Sequence, residues 1–337
     1  MTNIVLFGGS SDERHVSVAS AQNIARTLSP PPLAWFWTPE GAVHDVSLAE
    51  LLSHQRPFEV DYEPARPAIW PTLEQALDTL PVDDPVFVLA LHGGAGEDGT
   101  VQRLLEQRGI AFTGSGSAAS AAAFDKERAK ELVQGRVPTA EARVVRDPRA
   151  LADAVRDMLA RHERVVAKPV AGGSSRGLYF IGRGDEIPAV SVPYIVEQFL
   201  AGRELTVGVI DQGDGPIALP VIEIETDPGR TFDYAGKYLG SGTREICPAR
   251  IPDAMRDAAQ RAAVAAHIAL GCEGYSRTDL IATGDDEVWF LELNTLPGLT
   301  TSSLVPQELV TVGIGFREFL ERQVEAARGR IARKVMA

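Results

Sequence analysis

Apolar residues along this chain fall into short runs that end in glycine, a pattern typical of buried strands in α/β proteins. The first run, residues 4–7, is followed by Gly8 and Gly9 and then by a helical pattern over residues 16–28. Strand, glycine turn and helix in this order predict an α/β unit of the nucleotide-binding type. The other elements predicted in this part are a strand at 85–91, a helix at 100–108 and a strand at 110–112.

Two glycine-containing joints divide the chain into three predicted domains. The first joint, Thr-Gly-Ser-Gly at 113–116, precedes an Ala-rich stretch, residues 117–133, that predicts one continuous helix. The second joint is at Gly202. The predicted domains are residues 1–116, 117–201 and 202–337. Further strands are predicted at 164–169, 178–181, 194–200, 204–210, 217–224, 275–281 and 287–293, and a helix capped by Asp253 at 253–270.

The strand at 287–293 alternates between polar and apolar residues near its end. Because residues two apart in a strand point to one face, Glu292 and Asn294 share a face. By the same rule Leu291 and Leu293 are expected on the opposite, apolar face. The polar face is a candidate site for chemistry, although an ordinary solvated surface has the same pattern.

The preceding strand carries a matching pair, Arg277 and Asp279. If the turn between the two strands is at residues 283–286, Asp279 is expected beside Glu292. Two carboxylates and an amide oxygen are the hard oxygen ligands that suit magnesium, which commonly binds carboxylates together with substrate phosphates.

Lysines next to small polar loops are the candidate phosphate ligands. Lys168 ends an apolar strand just before Gly-Gly-Ser-Ser at 172–175, where it can carry a point charge towards a phosphate or extend into solvent. The loop can bind phosphates through its backbone N–H groups, but it is not a P-loop, since no Lys-Ser or Lys-Thr follows the glycines. Lys126 and Lys237 are the other candidates.

Composition restricts the classes of function. Of 337 residues, 45% are hydrophobic and 23% charged, as in an ordinary globular protein. The formal net charge of −13 disfavours broad binding to a nucleic-acid backbone. No apolar run approaches the roughly 20 residues that span a bilayer, and the N-terminus lacks a signal-peptide pattern. With Cys247 and Cys272 expected to be reduced, the protein is predicted to be cytoplasmic, without a nucleic-acid or membrane partner.

Taken together, these residues resemble the D-alanine–D-alanine ligases of the ATP-grasp superfamily. Eight blocks occur in the order that the family has, between residues 8 and 306. The blocks are GGSSDERHVSVAS at 8–20, LHGGAGEDGTVQ at 91–102, FTGSGSAASAAAFDK at 112–126, AKPVAGGSSRG at 167–177, VEQFLAGRELTVGV at 196–209, FDYAGKY at 232–238, GYSRTDL at 274–280 and LELNTLPGLTTSSLVP at 291–306.

The resemblance implies an α/β protein, α+β in parts, with the three-domain ATP-grasp fold. An N-terminal Rossmann-like domain, 1–116, would precede a central ATP-grasp subdomain, 117–201. A C-terminal ATP-grasp domain, 202–337, would carry the metal site and a mobile loop at 231–244. ATP would lie between the last two domains, and a homodimer is expected.

The resemblance also implies a role for each candidate residue. The nucleotide would be bound by Lys126, Lys168, Ser175, Glu197, Phe199, Leu200, Glu204 and Lys237. Two Mg²⁺ or Mn²⁺ ions would be held by Asp279, Glu292 and Asn294. Catalysis would involve Glu13, Ser174, Tyr238, Arg277 and the backbone N–H of Gly298, and the amino-acid substrates would contact His92, Ser303 and Leu304.

The implied activity is the ATP-dependent ligation of two D-alanines through a D-alanyl phosphate, for peptidoglycan precursor synthesis. Tyr238 favours an amine as the acceptor. One alternative is an ATP-grasp ligase for another amino-acid or hydroxy-acid acceptor, such as D-lactate. The other is a nucleotide-binding regulatory protein without turnover, which the complete Asp279, Glu292 and Asn294 set disfavours.

Four positions or segments depart from the family pattern. Gly172 and Ala235 stand where acidic residues are usual, and Phe124 stands where methionine is usual. The Pro-rich segment 29–85 has no secure alignment to the family pattern and predicts no clear element. These departures leave the substrate less well defined than the chemistry.

Overall fold

The computed structural model describes residues 2–173, 175–211, 215–227, 242–284 and 286–336. Within these ranges the strands form three sheets of five, four and six strands. Along the chain the five-stranded sheet comes first, the four-stranded sheet second and the six-stranded sheet third. The residues of the candidate site are positioned by these three sheets.

The first sheet is mainly parallel and has the strand order β3-β2-β1-β4-β5. Residues 4–7 of its central strand are fully buried, because helices cover both faces, and this explains their unbroken apolar run. The Pro-rich segment, left unassigned by sequence, adds two strands and two short helices. The elements are β1 (Thr2–Gly8), α1 (Arg14–Thr27), β2 (Leu33–Trp37), β3 (Val43–Val46), α2 (Leu48–Ser53), α3 (Leu73–Asp78), β4 (Pro85–Leu89), α4 (Thr100–Gln107) and β5 (Ala111–Phe112).

The second sheet is antiparallel, with the order β6-β9-β7-β8. Its elements are α5 (Ser117–Phe124), α6 (Lys126–Val133), β6 (Ala142–Val145), α7 (Leu151–Leu159), β7 (Arg164–Pro169), β8 (Tyr179–Gly182) and β9 (Tyr194–Gln198).

The prediction of one helix over 117–133 is wrong, because the chain breaks at Asp125. The backbone of Asp125 is extended, and its side chain accepts a hydrogen bond from Arg128 N at 3.0 Å, which caps α6. The backbone N–H of Lys126 donates to Val170 O at 2.9 Å. This pairing places Lys126 beside the 172–175 loop.

The third sheet has the order β13-β12-β10-β14-β15, with β11 paired to β10. A single strand over 217–224 was predicted, but Pro220 separates two strands that pair with different parts of β10. Asp253 is also not the predicted cap, since Pro252 occupies that position. The elements are β10 (Arg203–Asp211), β11 (Pro216–Ala218), β12 (Ile222–Thr226), β13 (Thr243–Ile246), α8 (Asp253–Ala269), β14 (Tyr275–Ala282), β15 (Val288–Asn294), α9 (Leu304–Thr311) and α10 (Phe316–Met336).

Helix α10 returns the chain to the first sheet. Arg330 donates to Gly114 O at 2.9 Å and lies over the Phe112 ring, 4.4 Å from its centroid. Arg330 also pairs with Glu273 at 2.7 Å. These contacts fix the end of β5 in the first sheet against Glu273, just before β14 of the third sheet. Among the described residues, none of the helices is both long and apolar enough to cross a membrane.

Candidate active site

A continuous cleft runs between the second and third sheets and ends at the first. It consists of three adjoining cavities of about 630, 100 and 50 Å³, here called the wide, middle and inner cavities. The wide and middle cavities share Lys168 and Glu204, and the middle and inner cavities share Lys126 and Glu292. Most of the predicted site residues within the described ranges therefore lie along one path.

The wide cavity has an apolar wall and a polar end. Val166 and Phe180 come from the second sheet and Ile281 from the third. Phe180 meets Phe199 edge-to-face, with ring centroids 5.8 Å apart. The predicted residues that line this cavity are Lys168, Ser175, Glu197, Phe199, Leu200 and Glu204.

A buried carboxylate with two lysines lies at the polar end. Lys168 Nζ is 3.0 Å from Glu197 Oε2, and Lys130 Nζ is 2.9 Å from Glu197 Oε1. Burial opposes ionisation of Glu197, but the two lysines outweigh it and lower the pKa of this carboxyl. Sequence reasoning missed Lys130, which lies one helical turn after Lys126 and was visible only as a lysine on the same helix face.

Of the predicted metal-binding residues, Asp279 and Glu292 line the middle cavity, and Asn294 lines the adjoining inner cavity. Asp279 pairs with Glu292 across β14 and β15, and Arg277 with Asn294, as the hairpin prediction expected. Glu292 lies 3.4 Å from Lys126 Nζ, which also donates to Gly172 O at 2.6 Å. The strand pairing thus places the carboxylates and the amide on one face of the sheet.

Two of these oxygen-bearing side chains are fixed by neighbours. Arg277 donates twice to Asp279, with both N–O distances 2.9 Å, and Thr206 Oγ1 donates to Asp279 Oδ1 at 2.6 Å. Asn294 Oδ1 accepts from Leu296 N at 2.7 Å. No ready-made group of three His, Cys, Asp or Glu side chains for a metal is found among the described residues. The donors fit a hard cation that takes further ligands from a bound substrate.

Leu291 does not lie on the apolar face, contrary to the prediction. A register shift after Asp279 pairs Leu280 with Phe290, so Leu291 is an extra residue in β15. Such a bulge interrupts the alternation of side chains. Phe290 and Leu293 are buried in the core, whereas Leu291 lines the wide and middle cavities.

The inner cavity combines a neutral histidine with acidic residues. Its lining includes Glu13, His92, Glu97 and Arg277. Burial and the Arg277 charge lower the pKa of His92 to about 3, so the ring is neutral near pH 7. Burial and the neighbouring Glu13 raise the pKa of Glu97 to about 7. Glu97 was not predicted, although it lies in the 91–102 block.

Helix α1 holds the turn that contains Gly298. Ser20 Oγ accepts from Leu299 N at 3.2 Å, and Asn23 Nδ2 donates to Leu299 O at 2.8 Å. His92 Nε2 lies 3.1 Å from Ser20 Oγ. These contacts fix the backbone on one side of Gly298 relative to the inner cavity.

The remaining predicted residues lie beyond the cavity lining or outside the described ranges. Ser303 is buried, and its Oγ accepts from Thr300 N at 3.1 Å. Leu304 packs in a small cluster with Ile222 and Ile224. The residues that fall outside the described part of the chain are Ser174, Lys237 and Tyr238, together with most of the 231–244 loop.

Comparison with known proteins identifies the class. The family models "D-ala D-ala ligase N-terminus" and "D-ala D-ala ligase C-terminus" match residues 2–115 and 154–325. A D-alanine–D-alanine ligase of Syntrophobacter fumaroxidans is 38% identical over 97% of this chain and 97% of its own. A second, of Paramagnetospirillum magneticum, is 38% identical over 96% of this chain and 97% of its own.

Solved structures agree with the sequence relatives. The VanG D-Ala:D-Ser ligase of Enterococcus faecalis has a TM-score of 0.81 and 28% identity, over 97% of this chain and 99% of that chain. The D-alanine-D-alanine ligase of Coxiella burnetii has a TM-score of 0.79 at 23% identity, covering 100% of this chain and 98% of that chain, and supports the fold alone. The fold is an ATP-grasp fold. This chain belongs to the D-alanine–D-alanine ligase family.

Proposed function

We propose that this protein joins two D-alanines in an ATP-dependent reaction that supplies D-alanyl-D-alanine for peptidoglycan precursors. The observation that supports it most directly is the order of residues along the cleft. A cavity large enough for a nucleoside leads past lysines and carboxylates to an inner cavity that contains an arginine and acidic groups. A phosphoryl donor and an amino-acid acceptor can thus meet in the middle.

The nucleotide is assigned to the wide cavity. The apolar wall suits a purine, and the backbone of residues 197–200 is assigned to its edge. Glu204 is assigned to the ribose hydroxyls, and Lys126 and Lys168 to the phosphates. The cations offset charge on the transferring phosphoryl group, which is the main electrostatic demand of this reaction class.

Asp279, Glu292 and Asn294 are assigned to two Mg²⁺ or Mn²⁺ ions. Hard carboxylate and amide oxygens on one face suit these cations. When bound, the ions would neutralise phosphate charge. The residues of the chain contribute the fixed oxygens, with Arg277 orienting Asp279 through two hydrogen bonds.

The reaction has two steps. The carboxylate of the first D-alanine attacks the γ-phosphorus of ATP, forming D-alanyl phosphate and releasing ADP. The amine of the second D-alanine, after losing a proton, attacks the acyl carbon, and phosphate leaves as the peptide bond forms. Arg277 and the Gly298 N–H are assigned to the oxyanion that develops in the second step.

The inner cavity is assigned to the amino acids. Glu13 faces the ammonium of the first substrate, with His92 nearby as a neutral ring. Ser303 and Leu304 are assigned to the carboxylate and methyl group of the second. Lys237, Ser174 and Tyr238 stay predictions, with Lys237 reaching the phosphate and the other two linking to Glu13.

The larger-scale assignments are also proposals. We divide the chain into domains 1–116, 117–201 and 202–337, and we expect the 231–244 loop to close over the phosphates. The homodimer that the family resemblance implies and the cytoplasmic location expected from the sequence are part of this proposal. Light scattering of the purified chain tests the dimer, since a monomeric mass at all concentrations would contradict it.

The test of function is product identification by mass spectrometry. The purified protein is incubated with ATP, Mg²⁺ and an equimolar mixture of D-alanine, D-serine and D-lactate, and ADP release is followed. We expect D-alanyl-D-alanine as the main product near neutral pH. A main product with D-serine or D-lactate would assign another acceptor, and absence of D-alanine-dependent ADP release would favour a regulatory protein.

A further inference from the structure

Lys130 contacts the carboxylate of Glu197. Lys168, which lines the wide cavity, contacts the same carboxylate. Lys168 and Glu197 belong to the described lining residues, whereas Lys130 does not. All three side chains are buried, at 9%, 3% and 9% exposure for Lys168, Glu197 and Lys130. The Lys130 contact is an ion pair at 2.9 Å without hydrogen-bond alignment. Its contribution is therefore mainly its charge.

The choice of lysine at this position is unusual for this chain. The sequence contains five lysines and 28 arginines, so arginine is the ordinary surface cation. Three of the five lysines, Lys126, Lys130 and Lys168, are buried around one cleft. Lysine is therefore used in this chain mainly where a cation is buried beside the carboxylates of the cleft.

The position of Glu197 creates an electrostatic difficulty for a phosphate-binding Lys168. If Lys168 turns from Glu197 to a phosphate, it leaves a buried carboxylate behind. Breaking a buried ion pair by removing one partner typically costs about 3–5 kcal/mol. A second cation that stays in place removes most of this cost.

We propose that Lys130 is a positioning residue that keeps Glu197 neutralised, so that Lys168 is released to bind the nucleotide phosphates. This inference rests on the proposed function, because it takes the wide cavity to be the nucleotide site. Lys130 touches no substrate and acts through Glu197. The trio Lys130, Lys168 and Glu197 has two positive charges and one negative charge. The phosphates of the nucleotide balance the remaining positive charge.

The charge state of the trio agrees with this division of roles. Burial opposes the charge of Lys168, but Glu197 and Glu292 outweigh it and raise its pKa. For Lys130 burial prevails over the attraction of Glu197 and lowers the pKa. The charge of Glu197 thus favours the cationic form of both lysines.

The experiment measures the affinity of the full-length protein for ADP and for adenosine, by calorimetry with Mg²⁺ present. Lys130→Met keeps the length of the side chain and removes the charge. We expect ADP to bind about 10- to 100-fold more weakly, the effect of losing one charged hydrogen bond, because Lys168 stays paired with Glu197. Adenosine affinity should change less than about threefold, since no phosphate is involved.

Two further variants separate this role from general damage. Arg128→Met removes an exposed charge from the same helix, where Arg128 pairs with Glu131, and should leave both affinities unchanged. In a Glu197→Gln background the carboxylate no longer needs neutralising, so adding Lys130→Met should have little further effect on ADP affinity. This comparison remains decisive if the single Lys130→Met variant fails to fold.

The outcomes are distinct. Wild-type ADP affinity in Lys130→Met, an equal loss for adenosine, or an undiminished effect of Lys130→Met in the Glu197→Gln background would each overturn the role of Lys130. Failure of the wild-type protein to bind both ADP and adenosine would instead refute the proposed function.

Discussion

Two buried glutamates at opposite ends of the cleft have opposite pKa shifts. Glu197 in the wide cavity lies between Lys130 and Lys168, which lower its pKa against the effect of burial. Glu97 in the inner cavity is mostly buried, with 14% of its side chain exposed, and burial together with the nearby Glu13 raises its pKa to about 7. The same residue type is thus held ionised at one end and about half protonated near pH 7 at the other, because the neighbouring charges differ.

The difference matches the ligands proposed for the two ends. Two lysines on one buried carboxylate suit a polyphosphate, whereas carboxyl groups around Arg277 suit a small zwitterion that carries an ammonium and a carboxylate. The ends also differ in construction. The wide cavity is built on paired strands of two sheets, and the inner cavity also needs a turn held by helix α1 of the first sheet.

The largest expected effect comes from the residue between the two ends. Glu292→Gln should reduce ligation at least about 100-fold, because it removes a charge from a site for hard cations that both steps need. Steady-state ADP release at varied Mg²⁺ measures it. Glu287→Gln on the same hairpin removes an exposed charge and should leave the rate unchanged. More than a tenth of wild-type turnover in Glu292→Gln, with the usual Mg²⁺ dependence, would refute the metal assignment.

Arg277→Lys should impair catalysis at the inner cavity and leave nucleotide binding in the wide cavity unchanged. Lysine keeps the charge but cannot make the two hydrogen bonds to Asp279 or the same contact with an oxyanion. We expect kcat to fall about 100-fold, the typical effect of losing one oxyanion donor. ADP affinity should stay within about threefold of wild type. Arg256→Lys, on the exposed side of α8, is the control.

The two glutamates predict opposite pH dependences of stability. Because Glu97 has a raised pKa in the folded protein, its stabilising contribution is present below pH 4.5 and lost as pH rises to about 7. Relative to Glu97→Gln, wild type should lose up to about 3 kcal/mol of unfolding free energy over this interval. Urea titrations at several pH values measure it.

The contribution of Glu197 has the opposite sign. Its lowered folded pKa stabilises the protein above pH 4.5, and this stabilisation is lost as pH falls through the folded pKa. Relative to Glu197→Gln, wild type should therefore become less stable in acid. Parallel pH profiles for the two variants would contradict the electrostatic contrast between the ends.

Sequence predicted the parts of the site that depend on local periodicity. The pairing of Asp279 with Glu292 followed from the two-residue repeat and a short turn, and the structure confirms it. The same repeat failed at Leu291, because a bulge depends on how two strands pair and not on one of them. Likewise the break at Asp125 comes from pairing with residues 170–171, which propensity in an Ala-rich stretch cannot show.

Contacts between segments that are far apart in the sequence could not be predicted from local sequence patterns. Only the family resemblance indicated which segments meet. Lys130 meets Glu197 only because α6, which packs in the core of the third sheet, also comes close to β9 of the second sheet. Nothing near either residue in the sequence marks the other as its partner. Helix α1 and the turn at Leu299 meet across almost the whole chain. Such pairings depend on the tertiary arrangement of the sheets, which a single sequence does not specify by pattern.

The smallest expected effect tests whether catalysis at the inner cavity depends on the contact between helix α1 and the turn at Leu299. Asn23→Ala removes the hydrogen bond from Nδ2 to Leu299 O, so the turn that carries the Gly298 N–H is held only by Ser20. A buried hydrogen bond is worth about 1–1.5 kcal/mol, which corresponds to about a tenfold fall in kcat if the lost positioning acts on the transition state. The ADP affinity should be unchanged, because the wide cavity does not use α1.

The neighbouring residue provides a matched control for the Asn23 variant. Gln22, on the same helix, donates to Leu51 O and His54 O inside the first sheet's own layer. Gln22→Ala should therefore lower the unfolding midpoint while leaving kcat near wild type, whereas Asn23→Ala should lower kcat at a nearly unchanged midpoint. If both variants lose activity only in proportion to stability, α1 supports the fold and does not position the oxyanion turn. If kcat falls with Asn23→Ala but not with Gln22→Ala, the contact from α1 to Leu299 positions the turn beside the inner cavity. The wide cavity has no such contact from α1 in this proposal.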